Sequence, residues 1–169
     1  MGKASVKSNK NIYHITREEL GLSREAASEL LGTITPERIE RIENEKITPH
    51  PEDILVMAKG YKAPKLCNYY CSNECPIGQQ YVPEVKIKDL SQIILEMLAS
   101  LNSMKKSQDK LIEISADGII SDSELEDFVT IQKELERISV TVETLQLWSE
   151  QMIAEGKIDL EKYNSIKES

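Results

Sequence analysis

The sequence predicts an all-α protein: a group of short helices, then a long antiparallel helical hairpin. Apolar residues recur at steps of three and four along most of the 169 residues, the period of a helix with one buried face. Over 11–62 the runs are short and punctuated by Ser, Thr, Gly and Pro where helices start and stop. Over 87–155 two runs hold the stepping for more than three heptads each, joined by a short Gly-containing connection. The domain organisation expected is 11–62, a connector at 63–86, and a hairpin domain at 87–167. No apolar run approaches the roughly 20 residues needed to span a bilayer. The opening MGKASVKSNK is polar and basic with no apolar stretch behind it, so no secretion signal is expected. A cytoplasmic protein with reduced thiols follows.

Charge divides the chain as the periodicity does. Residues 1–62 carry ten Lys/Arg and ten Asp/Glu, whereas the rest carry eleven and nineteen and account for the whole net charge of −8. A neutral first part can approach a phosphate backbone; the acidic second part is repelled by one.

In the first part, Ser23 is a good N-cap, and Ala26, Ala27, Leu30 and Leu31 give the following helix an apolar side. Gly32 ends that helix. Thr35-Pro36 starts the next, with Thr as cap and Pro in the first turn. Ile39 and Ile42 face inward there, leaving Arg38, Glu40 and Arg41 more exposed. After ITPHPED a further helix supplies Ile54, Leu55, Met57 and Ala58 to the core.

The stretch LSREAASELLG, a short turn, then IERIENEKITP resembles the Cro/XRE-type helix-turn-helix of bacterial and phage regulators. The likeness spans about residues 11–62. It implies that Ser23–Leu31 is the supporting helix and Pro36–Glu43 the recognition helix, which enters the major groove of double-stranded DNA. By that likeness Arg24, Glu37, Arg38 and Arg41 are the DNA-contacting positions, and Lys46 is placed to reach a phosphate. The sequence departs from the pattern in places. The turn GTIT is one residue longer than usual, Arg24 stands where Gln is often found, and Glu45 stands where glycine commonly follows EN. The recognition helix carries Glu37, Glu40 and Glu43 against Arg38 and Arg41, a net of −1.

All three cysteines fall in CNYYCSNECP, at Cys67, Cys71 and Cys75. A helix opened by Pro64 puts Cys67 and Cys71 on one face. Four readings of the cluster stand side by side. One is a zinc site of three thiolates and a histidine, with His50 the best-placed fourth ligand. Another is an iron–sulfur cluster with an outside or exchangeable ligand. The others are a redox-sensing thiol pair and small buried hydrophobes. A zinc ion or iron–sulfur cluster is the cofactor expectation. The segment LCNYYCSNECPIG also resembles one found in Cro/XRE-type regulators of anaerobic Gram-positive bacteria, a likeness that assigns no ligands.

Beyond QQYVPEV, read as an extended linker, one heptad run is Ile87, Leu90, Ile94, Met97, Leu101, Met104, Gln108 and Leu111. The second is Phe128, Ile131, Leu135, Ile138, Val142, Leu145, Ser149 and Met152. Further apolar residues (Ile93, Leu98, Val129, Leu147, Trp148) widen both stripes beyond what one hairpin can bury. A homodimer through 87–155, forming a four-helix bundle, is therefore expected. A last helix from Asp159 turns Leu160, Tyr163 and Ile166 inward. The connection EISADGIISDSE matches a calcium loop weakly, with Glu113 at its first position; helix punctuation by Gly118, Ser121 and Glu124 accounts for it better.

With only His14 and His50, no glycine-rich phosphate loop and no base assignable to the cysteines, an enzyme is not expected. The reading is a sequence-specific DNA-binding regulator, metal- or redox-responsive through its cysteines. The competing class is a protein-interaction adaptor that keeps the fold without binding DNA.

Overall fold

The computed structural model describes residues 10–114 and 118–168. Among them there are helices and connections but no strands: α1 Ile12–Glu19, α2 Arg24–Leu31, α3 Pro36–Glu43, α4 Pro51–Gly60, α5 Lys65–Asn73, α6 Gly78–Tyr81, α7 Leu90–Ile114, α8 Leu125–Ala154 and α9 Leu160–Lys167. They group into two compact units, one of residues 85–148 and the other of the residues up to 84 together with those from 149.

In the first unit the caps fall where the sequence puts them. Ser23 Oγ accepts from the Ala26 N–H and Thr35 Oγ1 from that of Arg38, which satisfies donors the helix itself leaves open. Gly32 closes α2 with φ of +72°, a left-handed conformation that costs residues with a Cβ. Ile34, in the long turn, is 3% exposed. The extra turn residue is thereby anchored in the core. Around it gather Tyr13, Ala27, Ile39, Ile42, Ile54, Met57 and Leu66, with Tyr69 and Tyr70 packed against them. Leu30 and Leu55, expected to face inward, are 53% and 62% exposed. Leu31 and Ile54, also expected inward, are buried, so the inward face of each helix is narrower than its run of apolar residues.

The core does not stop at α4. Leu66 on α5 is fully buried in it, and Cys67 packs on its edge. The α5 helix is thus built into the first unit. Helix α6 folds back on α5, and 79–81, expected to be extended, lie in it. Gly78 permits this: a Cβ there would lie 2.0 Å from the Cys71 carbonyl oxygen. Helix α9 has its cap, Asp159 Oδ1 accepting from the Lys162 N–H at 2.8 Å. Its apolar residues do not face inward as expected, since Leu160 is 52% and Ile166 66% exposed.

In the second unit α7 and α8 pack together. Ser103 and Ser107 donate to Glu134, and Lys110 pairs with Asp127. Later residues of α7 meet earlier residues of α8, so the pair is antiparallel. The heptads form the contact in part, with Met97, Met104, Phe128, Ile138 and Leu145 half-buried. Ile131 is buried, but Ile94, Leu101, Leu135 and Val142 keep 39%, 49%, 49% and 41% of their surface exposed. Serines and a glutamate meet among the inward residues, and the exposed heptad residues lie to one side. In the connection, Glu124 Oε2 accepts from the Ser121 N–H at 2.9 Å, the punctuation expected before α8. The calcium-loop positions Ser115 and Asp117 lie outside the described residues.

Gly78→Ala must push α6 away from α5, because the obstructing atom is backbone. It is expected to destabilise the first unit by about 1–3 kcal/mol. Denaturant unfolding of wild type and variant measures this, and equal stability would mean that the two helices do not pack this closely.

Candidate DNA-reading surface and cysteine helix

The α3 helix is fixed by a buried charge. Glu43, at its C-terminal end, is 4% exposed. Arg17 on α1 donates to it through Nε at 2.5 Å and Nη2 at 3.0 Å, and Arg24 on α2 donates through Nε at 2.9 Å. Arg17 Nη1 also donates to the Leu22 carbonyl. The carboxylate therefore joins three helices through charge-assisted hydrogen bonds, whose directionality fixes their arrangement. Arg17, 6% exposed, is equally dependent on it. Burial disfavours the Arg17 guanidinium charge, and Glu43 reverses that, raising its pKa above the ordinary arginine value.

Of the five positions expected to contact DNA, three are engaged inside the domain. Arg24 belongs to the Glu43 cluster. Arg38 pairs through Nε and Nη2 with both oxygens of Asp53 on α4. Lys46 reaches Glu40 at 3.2 Å. Arg41 and Glu37 are exposed, and neither has an ion-pair partner among the described residues. The net charge of −1 counted along α3 thus misdescribes what a ligand meets. Glu43 is inside and neutralised, Glu40 is paired, and the free pair is one acid and one base.

Glu45 follows the helix with φ of +57°, the left-handed position for which helix ends usually employ glycine. The first turn of α4 holds Asp53, whose carboxylate also accepts from the His50 N–H at 2.9 Å. Burial opposes Asp53 ionisation, but the Arg38 and His50 hydrogen bonds outweigh it and hold its pKa below the ordinary value.

The cysteine helix presents Cys67 and Cys71 one turn apart, close enough that the Cys71 charge acts on Cys67. Burial first, then Cys71 and Glu150, push the Cys67 thiol up. Cys75 lies past the helix end, where its N–H bonds to the Tyr70 carbonyl, and its Sγ receives the Gly78 N–H at 3.5 Å. All three thiols are free and partly buried. His50 is the exposed cap residue of α4. Among the described residues no three His, Cys, Asp or Glu side chains gather in a way that could hold a metal ion. None of the described helices is long and apolar enough to cross a membrane.

Residues 15–64 match the helix-turn-helix family. The match supports the likeness of this part of the chain to Cro/XRE-type helix-turn-helix domains. That family is one of DNA-binding transcriptional regulators and not of enzymes. The match ends at Pro64, immediately before α5. No curated protein and no solved structure matches the chain.

Sequence reasoning overlooked Arg17 and misplaced Glu43. The signal was present for Arg17, which stands four residues after Tyr13 and so on the inward face of α1. Glu43→Gln is expected to leave the Arg17 charge buried with a weaker partner, while Glu43→Ala removes the partner at a cost of about 3–5 kcal/mol. Unfolding free energies of the variants check this, and a loss below 1 kcal/mol for the alanine variant would remove the cluster from its structural role. The Asp53 pair adds a pH dependence. A carboxyl with lowered folded pKa contributes stability above its unfolded pKa, about 4, and loses it as pH falls through the folded value. Stability of Asp53→Asn is expected to fall less than that of wild type from pH 5 to pH 2.

Proposed function

We propose that the chain is a sequence-specific DNA-binding transcriptional regulator acting on double-stranded DNA as a homodimer, with Cys67, Cys71 and Cys75 making it responsive to redox or metal. The observation carrying the DNA reading is the exposed Arg41, without an ion-pair partner among the described residues, on a helix whose Arg38, Glu40 and Glu43 are paired within the domain. An arginine free on a recognition helix suits the bidentate acceptors of guanine, and Glu37 suits the amino group of cytosine. Arg38 and Arg24 serve chiefly to hold the helix at its angle.

The dimer reading rests on apolar residues that the hairpin leaves exposed. Ile94, Leu98 and Leu101 follow one another along α7 at steps of four and three, and Leu135 and Val142 are seven apart on α8. The groove on one side of the hairpin is lined by Glu96, Ala99, Lys133 and Arg137. Helical phase puts the apolar stripes on the opposite side. Such a stripe, with Leu98 and Leu101 about half exposed, matches a second copy of itself in a four-helix bundle.

For the cysteines, the supporting observation is that α5 is part of the domain core, so chemistry at its thiols acts on the helix-turn-helix directly. A peroxide oxidant converts one thiol to sulfenic acid with loss of water. A second thiol then condenses with it, forming the disulfide and releasing another water. A zinc ion or iron–sulfur cluster instead requires the thiolates to converge with a fourth ligand. Metal and sulfide analysis of protein purified without oxygen separates the two routes.

Arg41→Ala is expected to weaken binding to a selected operator about tenfold to a hundredfold with the fold intact. Sequence-selective, salt-dependent gel shift measures it; no selective binding by the wild-type protein would favour the adaptor. Leu101→Glu with Leu135→Glu is expected to convert a dimer to a monomer in sedimentation. An unchanged sedimentation coefficient would contradict the hairpin interface. Peroxide or a chelator is expected to change operator affinity, and equal affinity before and after both treatments would contradict a role for the thiols.

A further inference from the structure

The backbone holds the three thiols in unequal ways. Cys67 and Cys71 both lie inside α5, one turn apart, where a helix keeps the Cβ atoms of residues i and i+4 about 5–6 Å apart. A disulfide requires its Cβ atoms about 3.5–4.5 Å apart. Joining this pair therefore means unwinding α5 beside Leu66, which is fully buried, and Tyr69 and Tyr70, which pack on the same core. Cys67 and Cys75 are farther still, about 12 Å apart for eight residues along a helix axis.

Cys75 is outside the helix. Its N–H bonds to the Tyr70 carbonyl at 2.9 Å, five residues back, and not to that of Cys71. The chain then folds over the Cys71 end of α5, so closely that Gly78 has no room for a Cβ beside the Cys71 carbonyl. Helical spacing thus does not fix the distance from Cys71 to Cys75. Burial, then charge on Cys75 and on Cys71, pushes the Tyr70 hydroxyl up, so both sulfurs lie near one phenol. Burial also favours the neutral thiol at Cys67, whereas the thiolate is the nucleophile.

We infer that oxidation joins Cys71 to Cys75 and leaves Cys67 a thiol. This rests on the redox reading of the thiols and names the pair that carries it. A peroxide forms an S–O bond with one of the two sulfurs as its O–O bond breaks, giving a sulfenic acid and water. The other sulfur displaces that oxygen, which leaves with a proton as a second water, and the S–S bond forms. Closing the bond moves Cys75, whose sulfur and carbonyl receive the N–H groups of Gly78 and Gln79. The start of α6 is loosened as a result.

The test treats the full chain with one equivalent of hydrogen peroxide and alkylates the remaining thiol. Chymotrypsin then cuts after Tyr70 and a glutamate-specific protease after Glu74, so that mass spectrometry tells the three pairings apart. The expected product links Cys71 to Cys75 and carries the alkyl group on Cys67. Cys67→Ser is expected to form the same bond and Cys75→Ser none. Amide exchange at Gln79 is expected to quicken on oxidation. A bond that includes Cys67, no bond within the chain, or unchanged exchange at Gln79 would overturn the inference. An operator affinity unchanged by a Cys71–Cys75 bond would support the pairing and contradict the redox reading alone.

Discussion

The Glu43 carboxylate, enclosed by Arg17 and Arg24, is the interaction on which the first unit depends. It is the last residue of the recognition helix, and its partners come from the two helices before it. Apolar contacts such as those of Ile39 and Ile42 hold the helices together but are non-directional. The Arg17 fork and the single Arg24 Nε bond on one carboxylate have direction and therefore set the rotation of α3. A buried ion pair contributes little net stability against well-packed apolar residues. Its value here is geometric: it decides that Arg41 and Glu37 point outward.

The same logic extends to the paired surface charges. Arg38 with Asp53 ties α3 to α4, and Lys46 with Glu40 closes the end of α3. A recognition helix that looks acidic along the sequence thereby presents a balanced face. Continuing the core into α5 places a thiol-bearing helix on the scaffold that supports this face. Leu66 is the anchor, and Gly78 allows the chain to turn back over it.

Much of this was legible beforehand, for local reasons. Ser23, Gly32, Thr35 and Pro36 announce helix ends by chemistry that acts within four residues, and each is found in that role. The inward Ile39 and Ile42 follow from periodicity. What escaped depends on contacts distant in sequence. Glu43 reads as one more surface acid until Arg17, 26 positions earlier, is brought beside it. For Arg24, Arg38 and Lys46, sequence alone shows a cation but not the Glu43, Asp53 and Glu40 that pair with them. In the hairpin, the heptads announce two long helices, but not the hydrogen bonds of Ser103 and Ser107 to Glu134 between them. Polar positions of that kind carry little weight in an apolar pattern. The three cysteines were visible as a cluster, but the packing of Cys67 against the domain core was not.

The central claim is that the outward face of α3 reads a DNA sequence on behalf of a symmetric pair of chains. Selection of bound molecules from a pool of random double-stranded DNA, using the full chain at physiological salt, tests it most directly. The account predicts enrichment of an inverted repeat whose two halves carry the same short sequence. Enrichment of no sequence, or of a single unrepeated half-site, would contradict it.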